Sequence, residues 1–244
     1  MNRELFIQPD WPAPARVIAG TTCRTGGVSQ GPYASLNLAA HVGDDPAAVA
    51  TNRARLGLPA EPAWLQQVHG TQVAVLEAGV VPGNLEADAA YSCTPGVICA
   101  VLTADCLPVL LCDSAGQEVA AVHAGWRGLQ AGVIEAAVAR FQAPGAQLMA
   151  WLGPAIGPHV YEVGDDVRRA FIEHESAAKQ AFTVTHPGHW LMDIYQLARQ
   201  RLLRQGIEQI SGGDYCTYSD AQRFYSYRRD GITGRMATVI WRQD

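Results

Sequence analysis

Lysine is nearly missing from this 244-residue chain: Lys179 stands alone among 18 basic residues, and arginine carries the rest of the positive charge. We read that bias as compositional, not functional. The formal net charge is −5, so no basic surface argues for nucleic acid or an anionic membrane. No apolar run approaches the roughly 18 residues of a membrane span. The opening MNRELFIQPDWPAPARVIAG lacks the apolar stretch of a secretion signal. The expectation is a cytoplasmic protein with reduced thiols. The six cysteines (Cys23, Cys93, Cys99, Cys106, Cys112, Cys216) contain no CxxC pair, which argues against a zinc knuckle. The seven histidines contain no HxH pair, which argues against a multicopper oxidase centre. No repeat, low-complexity tract or Pro/Gly/Ser linker divides the chain, so one domain over 1–244 is expected, and no heptad seam suggests more than a monomer.

What is present is apolar strand and amphipathic helix. Composition is ordinary for a globular protein, 48% hydrophobic and 17% charged. Strands are expected at Arg16–Cys23, Gln67–Glu77, Val97–Ala104, Leu107–Cys112, Glu118–His123 and Met149–Gly153. Asp44-Asp45-Pro46 opens a helix reaching about Leu56, with acidic cap candidates and proline in the first turn. Leu129–Gln142 carries one apolar stripe of Leu129, Val133, Ile134, Ala137, Val138 and Phe141. Asp165–Glu175 and Asp193–Gln205 complete the helices, and Asp230-Gly231 marks a hairpin candidate. Interspersed helices and hairpin-joined strands predict an α+β (mixed α/β) fold, with helices packed on mixed sheets.

The chemistry concentrates in TADCLPVLLCDSAGQEVAAVHAGWRG, from Thr103 to Gly128. If Asp113 pairs with Glu118, paired residue numbers sum to 231. Cys106 then faces Gly125 and His123 faces Pro108, making Cys106 and His123 diagonal neighbours on one face, Cβ atoms roughly 7–8 Å apart or less. A metal fits between such a thiol and imidazole. Pro108 puts a regular ladder in doubt there. Both hairpin faces are apolar, so it is sandwiched between layers, with Asp105, Cys106, His123 and Arg127 at the rim. A thiol and a histidine on paired strands are also ordinary core residues, and the hairpin alone leaves both readings open. His69 in WLQQVHG can supply a third ligand. His41, His159 and His174 lack an apolar frame, and His186 and His189 fall in HPGHW, expected as a loop.

The combination of WLQQVHG, TADCLPVLL, AAVHAGWRGL, GPAIGP, DIYQLARQ and SYRRDGITGRMA resembles the YfiH-type laccase-domain family over nearly the whole chain. The family has been described both as multicopper polyphenol oxidases and as purine nucleoside phosphorylases. The resemblance implies a layered sandwich, similar to cysteine-dependent deamidase toxin domains, and a zinc held by His69, Cys106 and His123. Three protein ligands and an open position are the mark of a catalytic zinc. It implies phosphorolysis of adenosine, guanosine, inosine and methylthioadenosine, with adenosine deamination. Deamination needs an activated hydroxide at a purine carbon; phosphorolysis needs a phosphate site, for which arginine is suited. Arg24 and Arg228 are the phosphate candidates. Arg127 is a substrate candidate, or else a solvated residue or a partner of Asp105. Asn37 is a further substrate candidate. Asp105 is a candidate acceptor for a metal-bound histidine, or a turn-forming carboxylate. Two other functions stand beside this one. Cys106 can serve as nucleophile with His123 as base in a hydrolase acting on peptidoglycan precursors. Copper, which outranks zinc for such ligands, can support phenol oxidation.

Overall fold

The computed structural model describes residues 1–79 and 85–244. Thirteen strands occur among them. The first seven in chain order are β1 (Phe6–Ile7), β2 (Val17–Thr22), β3 (Val73–Val75), β4 (Ala89–Ser92), β5 (Cys99–Thr103), β6 (Leu107–Asp113) and β7 (Val119–Ala124). The rest are β8 (Leu148–Leu152), β9 (Glu162–Gly164), β10 (Phe182–His186), β11 (His189–Met192), β12 (Gln209–Gly212) and β13 (Met236–Arg242). The helices are α1 (Pro46–Arg55), α2 (Trp126–Ala131), α3 (Val133–Val138), α4 (Asp165–His174), α5 (Ile194–Arg204) and α6 (Tyr227–Asp230).

The strands form three sheets. Six run in the order β12-β8-β6-β7-β4-β3, four as β1-β2-β13-β5, and three as β10-β11-β9. The six-stranded sheet is mixed: β12 lies parallel to β8 and β3 parallel to β4, while β6, β7, β8 and β4 alternate antiparallel. Its inner strands alternate between two cores. Val109, Leu111, Ala120 and Val122 face the helical layer, against Leu129, Ile134, Leu197 and Leu202. Leu110, Cys112, Val119 and Ala121 face the four-stranded sheet, meeting Val17, Ala19, Val101 and Ile240. Ala100, Leu102 and Val239 use the outer face of the smaller sheet to bury Leu36, Leu38 and Leu56. This is the layered α+β sandwich expected. Because both faces of β6 and β7 are buried, a one-residue slip would simply exchange two apolar sets; the turn must pin the register. Asp113 does so, its carboxylate accepting the amides of Ala115, Gln117 and Glu118.

The β6–β7 register is the expected one, from Leu107 opposite Ala124 to Cys112 opposite Val119. Pro108 does not interrupt it. The His123 amide points away from Pro108 to the Asp88 carbonyl at 2.7 Å, so this pair exchanges no hydrogen bond and the missing N–H costs nothing. Other expectations change. The Leu129–Gln142 helix starts earlier and breaks at Gly132, whose φ of 101° ends α2 and begins α3. The Gln67–Glu77 strand contracts to β3. The segment before it is a turn in which His69 adopts φ 61°. Asp230-Gly231 closes the short α6 rather than a hairpin. HPGHW is not a loop: His186 ends β10 and His189 begins β11.

Candidate metal centre and cavity

His69, Cys106 and His123 come together. Their donor atoms lie within 4.8 Å of one another, with Cys106 Sγ 3.7 Å from His69 Nε2. His123 is the next-to-last residue of the buried strand β7, Cys106 immediately precedes β6, and His69 arrives on the turn after Gln67. The Gln67 amide anchors that turn by pairing with both backbone groups of Leu102, at 2.8 and 2.7 Å, as a neighbouring strand would. Glycine makes the convergence sterically feasible. A Cβ on Gly125 would stand 2.7 Å from the His69 ring and 3.1 Å from Cys106 Sγ; one on Gly128 would stand 2.8 Å from the Gly70 carbonyl.

The residue that organises this centre is Asp88, which precedes β4 and has no exposed surface. One oxygen accepts from His69 N at 2.9 Å and from His123 Nδ1 at 2.8 Å. The other accepts from Gly70 N at 2.6 Å and Val68 N at 3.2 Å. An ionised carboxylate only accepts, so His123 Nδ1 carries a proton and Nε2 is the ring nitrogen available to a metal. Burial alone would raise the Asp88 pKa, but the hydrogen bonds from His123 and Gly70 hold it below the usual carboxylate range. Burial likewise pushes the Cys106 thiol up, yet the His123 and His69 imidazoles outweigh that and bring it down to about 6. Burial pushes His123 down, while the Cys106 thiolate and Asp88 bring it up to about 9. Without a metal the geometry therefore favours a thiolate beside an imidazolium.

A cavity of about 390 Å3 opens over these side chains, walled also by His41, Thr103, Tyr227 and Arg235. Thr103 Oγ1 is buried there without a hydrogen-bond partner. A more open depression of about 610 Å3 lies around Glu118, Arg140 and Arg242, away from these ligands. There the Glu118 carboxylate is already committed to Tyr91, Gln142 and Ala143.

Several candidates sit elsewhere than expected. Asp105, at φ 91°, does not reach a histidine; its carboxylate accepts from Thr217 Oγ1 at 2.6 Å and Arg228 N at 2.7 Å, pinning the C-terminal segment under Cys106. Arg24 donates to the carbonyls of Ala34 and Ala221 above the Tyr225 ring. Asn37 is fully buried and ties Ala39 and Asp44 to the Arg235 amide. Arg127 makes no ion pair with Asp105 and lies over Trp126. Arg228 donates to the Glu162 carbonyl beside Tyr161. None of these five walls the cavity. Sequence reasoning missed Asp88, Arg235 and His41. The signal for Asp88 was a lone carboxylate in an apolar run, Ala87-Asp88-Ala89-Ala90; that for Arg235 was an arginine immediately before a buried strand.

The donor set fits zinc. Tetrahedral geometry with the usual Zn–S and Zn–N lengths places sulfur and nitrogen about 3.6 Å apart, close to the 3.7 Å between Cys106 and His69. Two imidazoles and a thiolate, with a buried carboxylate behind one of them, suit a borderline transition metal and not a hard cation.

A layered α+β protein with a Cys/His/His donor set over a cavity is thus the class that fold and site define. Residues 18–243 match the family described as multi-copper polyphenol oxidoreductase laccase, and the chain belongs to that family. It is 56% identical over 240 residues to the purine nucleoside phosphorylase YfiH of Escherichia coli, covering 97% of this chain and 98% of that one. A purine nucleoside phosphorylase of Pseudomonas aeruginosa is 54% identical over 242 residues, covering 98% and 99%. Among solved structures, a Neisseria meningitidis protein of family-model DUF152 superposes with a TM-score of 0.94 at 50% identity, covering 98% of this chain and 100% of that one. YlmD from Geobacillus stearothermophilus gives 0.86 at 31% identity, covering 98% and 99%. No helix among the described residues is long and apolar enough to cross a membrane.

Proposed function

We propose that the chain is a zinc-dependent purine nucleoside phosphorylase that also deaminates adenosine, acting in the cytoplasm, with His69, Cys106 and His123 as metal ligands. The observation that carries the reading is the convergence of those side chains at a cavity shared with Arg235. The printed names of relatives at 54% and 56% identity support it.

When bound, the metal would supply Lewis-acid charge at the cavity floor. The chain's own groups do the rest. Asp88 holds His123 in the tautomer that presents Nε2. Arg235 takes the phosphate role first expected of Arg24 and Arg228, because it belongs to the cavity wall and they do not; its Nη1 donates to the Thr233 and Gly234 carbonyls, which fixes the guanidinium there. Phosphorolysis exchanges the bond from the base to the anomeric carbon for one from phosphate, releasing base and ribose 1-phosphate. Deamination at the same centre adds water at the amino-bearing purine carbon and expels the amino group, giving inosine and ammonia. Copper in this donor set would make phenol oxidation a side reaction of mis-metallation.

The test is incubation of the purified protein with adenosine, with and without phosphate, and separation of products. Phosphate-dependent adenine and ribose 1-phosphate support the reading, as does inosine for the deaminase. No turnover by a zinc-loaded chain would overturn it. A second reading is favoured by the Cys106–His123–Asp88 arrangement: a cysteine hydrolase acting on peptidoglycan precursors, with Cys106 as nucleophile, His123 as base and Asp88 orienting the base. One thiolate cannot be ligand and nucleophile at once. Activity that survives chelators but not alkylation would select this second reading.

A further inference from the structure

We propose that Glu162, His186 and His189 form a second metal site, on the exposed face of the three-stranded sheet, for a borderline divalent transition metal such as Zn2+, Ni2+ or Cu2+. The site is separate from the Cys106 cavity and does not depend on the proposed phosphorylase function, since none of its residues walls that cavity.

Backbone register places the three side chains together. Glu162 on β9 is opposite Leu191 on β11, so both point to one face; His189, two residues before Leu191, points to that face too. His186 joins them through an irregularity. Phe182, Thr183 and Val184 pair regularly with Met192, Leu191 and Trp190, but the register shifts after Val184 and His186 falls opposite His189. The extra residue, Thr185, is a bulge of the kind that re-aims a side chain. Without it His186 would be opposite Gly188. Pro187-Gly188, with Gly188 at φ 80°, closes the hairpin so tightly that the two histidines stand abreast, ring centroids 4.1 Å apart.

The donor atoms are close enough together to share one ion. The donor atoms all lie within 4.8 Å of one another. Glu162 Oε2 is 3.7 Å from His186 Nε2, and Oε1 is 3.5 Å from His189 Nδ1. Those separations are too long for good hydrogen bonds. They belong to two different carboxylate oxygens, one facing each imidazole, as a carboxylate that ligates one metal ion through both oxygens would place them. Thr185 Oγ1 donates to Glu162 Oε2 at 3.0 Å and steadies the carboxylate behind the site. Two imidazoles with one carboxylate exclude a calcium or magnesium preference. Side-chain exposures of 54%, 48% and 41% leave the remaining coordination positions open to water or an external ligand.

The test is zinc stoichiometry. Tag-free protein is stripped with chelator, dialysed against micromolar Zn2+ and analysed for metal. We expect about two zinc per chain for the native protein. About one is expected for His186→Gln with His189→Gln, and about one for His69→Gln with Cys106→Ser. Because the surface pair is exposed, the first variant should keep the native circular dichroism and Tm. A His186/His189 variant that holds as much zinc as the native chain overturns the proposal, as does a native chain whose only zinc is lost with His69 and Cys106. The Cu2+ electron paramagnetic resonance spectrum of the His69/Cys106 variant is an independent reading. Nitrogen hyperfine structure should be present and should vanish when His186 and His189 are also replaced. Its absence from the start would also sink the assignment, whatever the enzymatic outcome.

Discussion

Asp88→Asn would test most directly the claim that one carboxylate builds the metal centre. Four donors converge on Asp88: three consecutive backbone amides, Val68 to Gly70, and the His123 ring. Hydrogen bonds to a charged group contribute about 1.5–3 kcal/mol each. An asparagine keeps one accepting oxygen and turns the other position into a donor. That oxygen can serve only one side of the carboxylate's present set. At least one amide, or the imidazole, is then left facing an N–H in a site with no water access. A loss of about 3 kcal/mol of stability is therefore expected. The effect on metal should exceed that of a distant destabilising change, because His69 is held at φ 61° by those amides and His123 loses its tautomer lock. Weakening of zinc affinity by about 10–100-fold is expected, the range for removing a partner behind a metal ligand. Zinc competition against a chromophoric chelator measures the affinity; denaturant unfolding measures the stability. A folded Asp88→Asn protein that holds zinc within about twofold of the native chain would refute the assignment of Asp88 as organiser.

Gly125→Ala should abolish zinc binding while leaving most of the fold, since the new methyl would enter the His69–Cys106 gap; elemental analysis with circular dichroism checks it. In chelator-treated protein, Cys106 alkylation should follow a thiolate that titrates at about 6. Reactivity then persists at neutral pH and falls only as pH drops through that value, whereas an ordinary thiol would already lose it below about 8.5. Iodoacetamide labelling against pH, read by peptide mass, decides between them. Arg235→Ala should raise KM for phosphate at least about tenfold, the loss of a charge-assisted contact. Arg24→Ala should instead lower Tm and leave that KM unchanged, and steady-state kinetics with a thermal scan separate the two. Arg201→Ala should cost about 2–4 kcal/mol, because the buried guanidinium joins Glu135 at 2.8 Å to the Gln130 carbonyl; urea unfolding reads this.

The β6–β7 hairpin was legible because strand alternation has a period of two and its turn carries its own chemistry: once Asp113 and Glu118 are paired, every partner from Leu107 to Cys112 follows. The α1 start was equally local, with Asp45 capping it and accepting from Ala47 as its position before Pro46 implied; Asp193 caps α5 in the same way, accepting from Gln196. The apolar stripe of Leu129–Phe141 was read correctly, yet the helix was not continuous. A stripe reports which face is buried, while Gly132 at φ 101° reports where the backbone turns. Nothing local could reveal that the VHG segment is a turn hung on Asp88 and Leu102, because its anchors lie 18 to 35 residues away. The same separation hid Asp88 as the acceptor for His123 and left Asp105 as the plausible choice, since Asp105 is adjacent to Cys106 in the chain. Sequence alone determined the layered class, the hairpin register and the residue types able to bind a metal, all of which depend on periodicity and side-chain chemistry. Tertiary structure decided which carboxylate orients the histidine, which arginine reaches the cavity, and that Glu162 meets His186 and His189. Those outcomes depend on where separate strands end in space, and no short-range pattern encodes that.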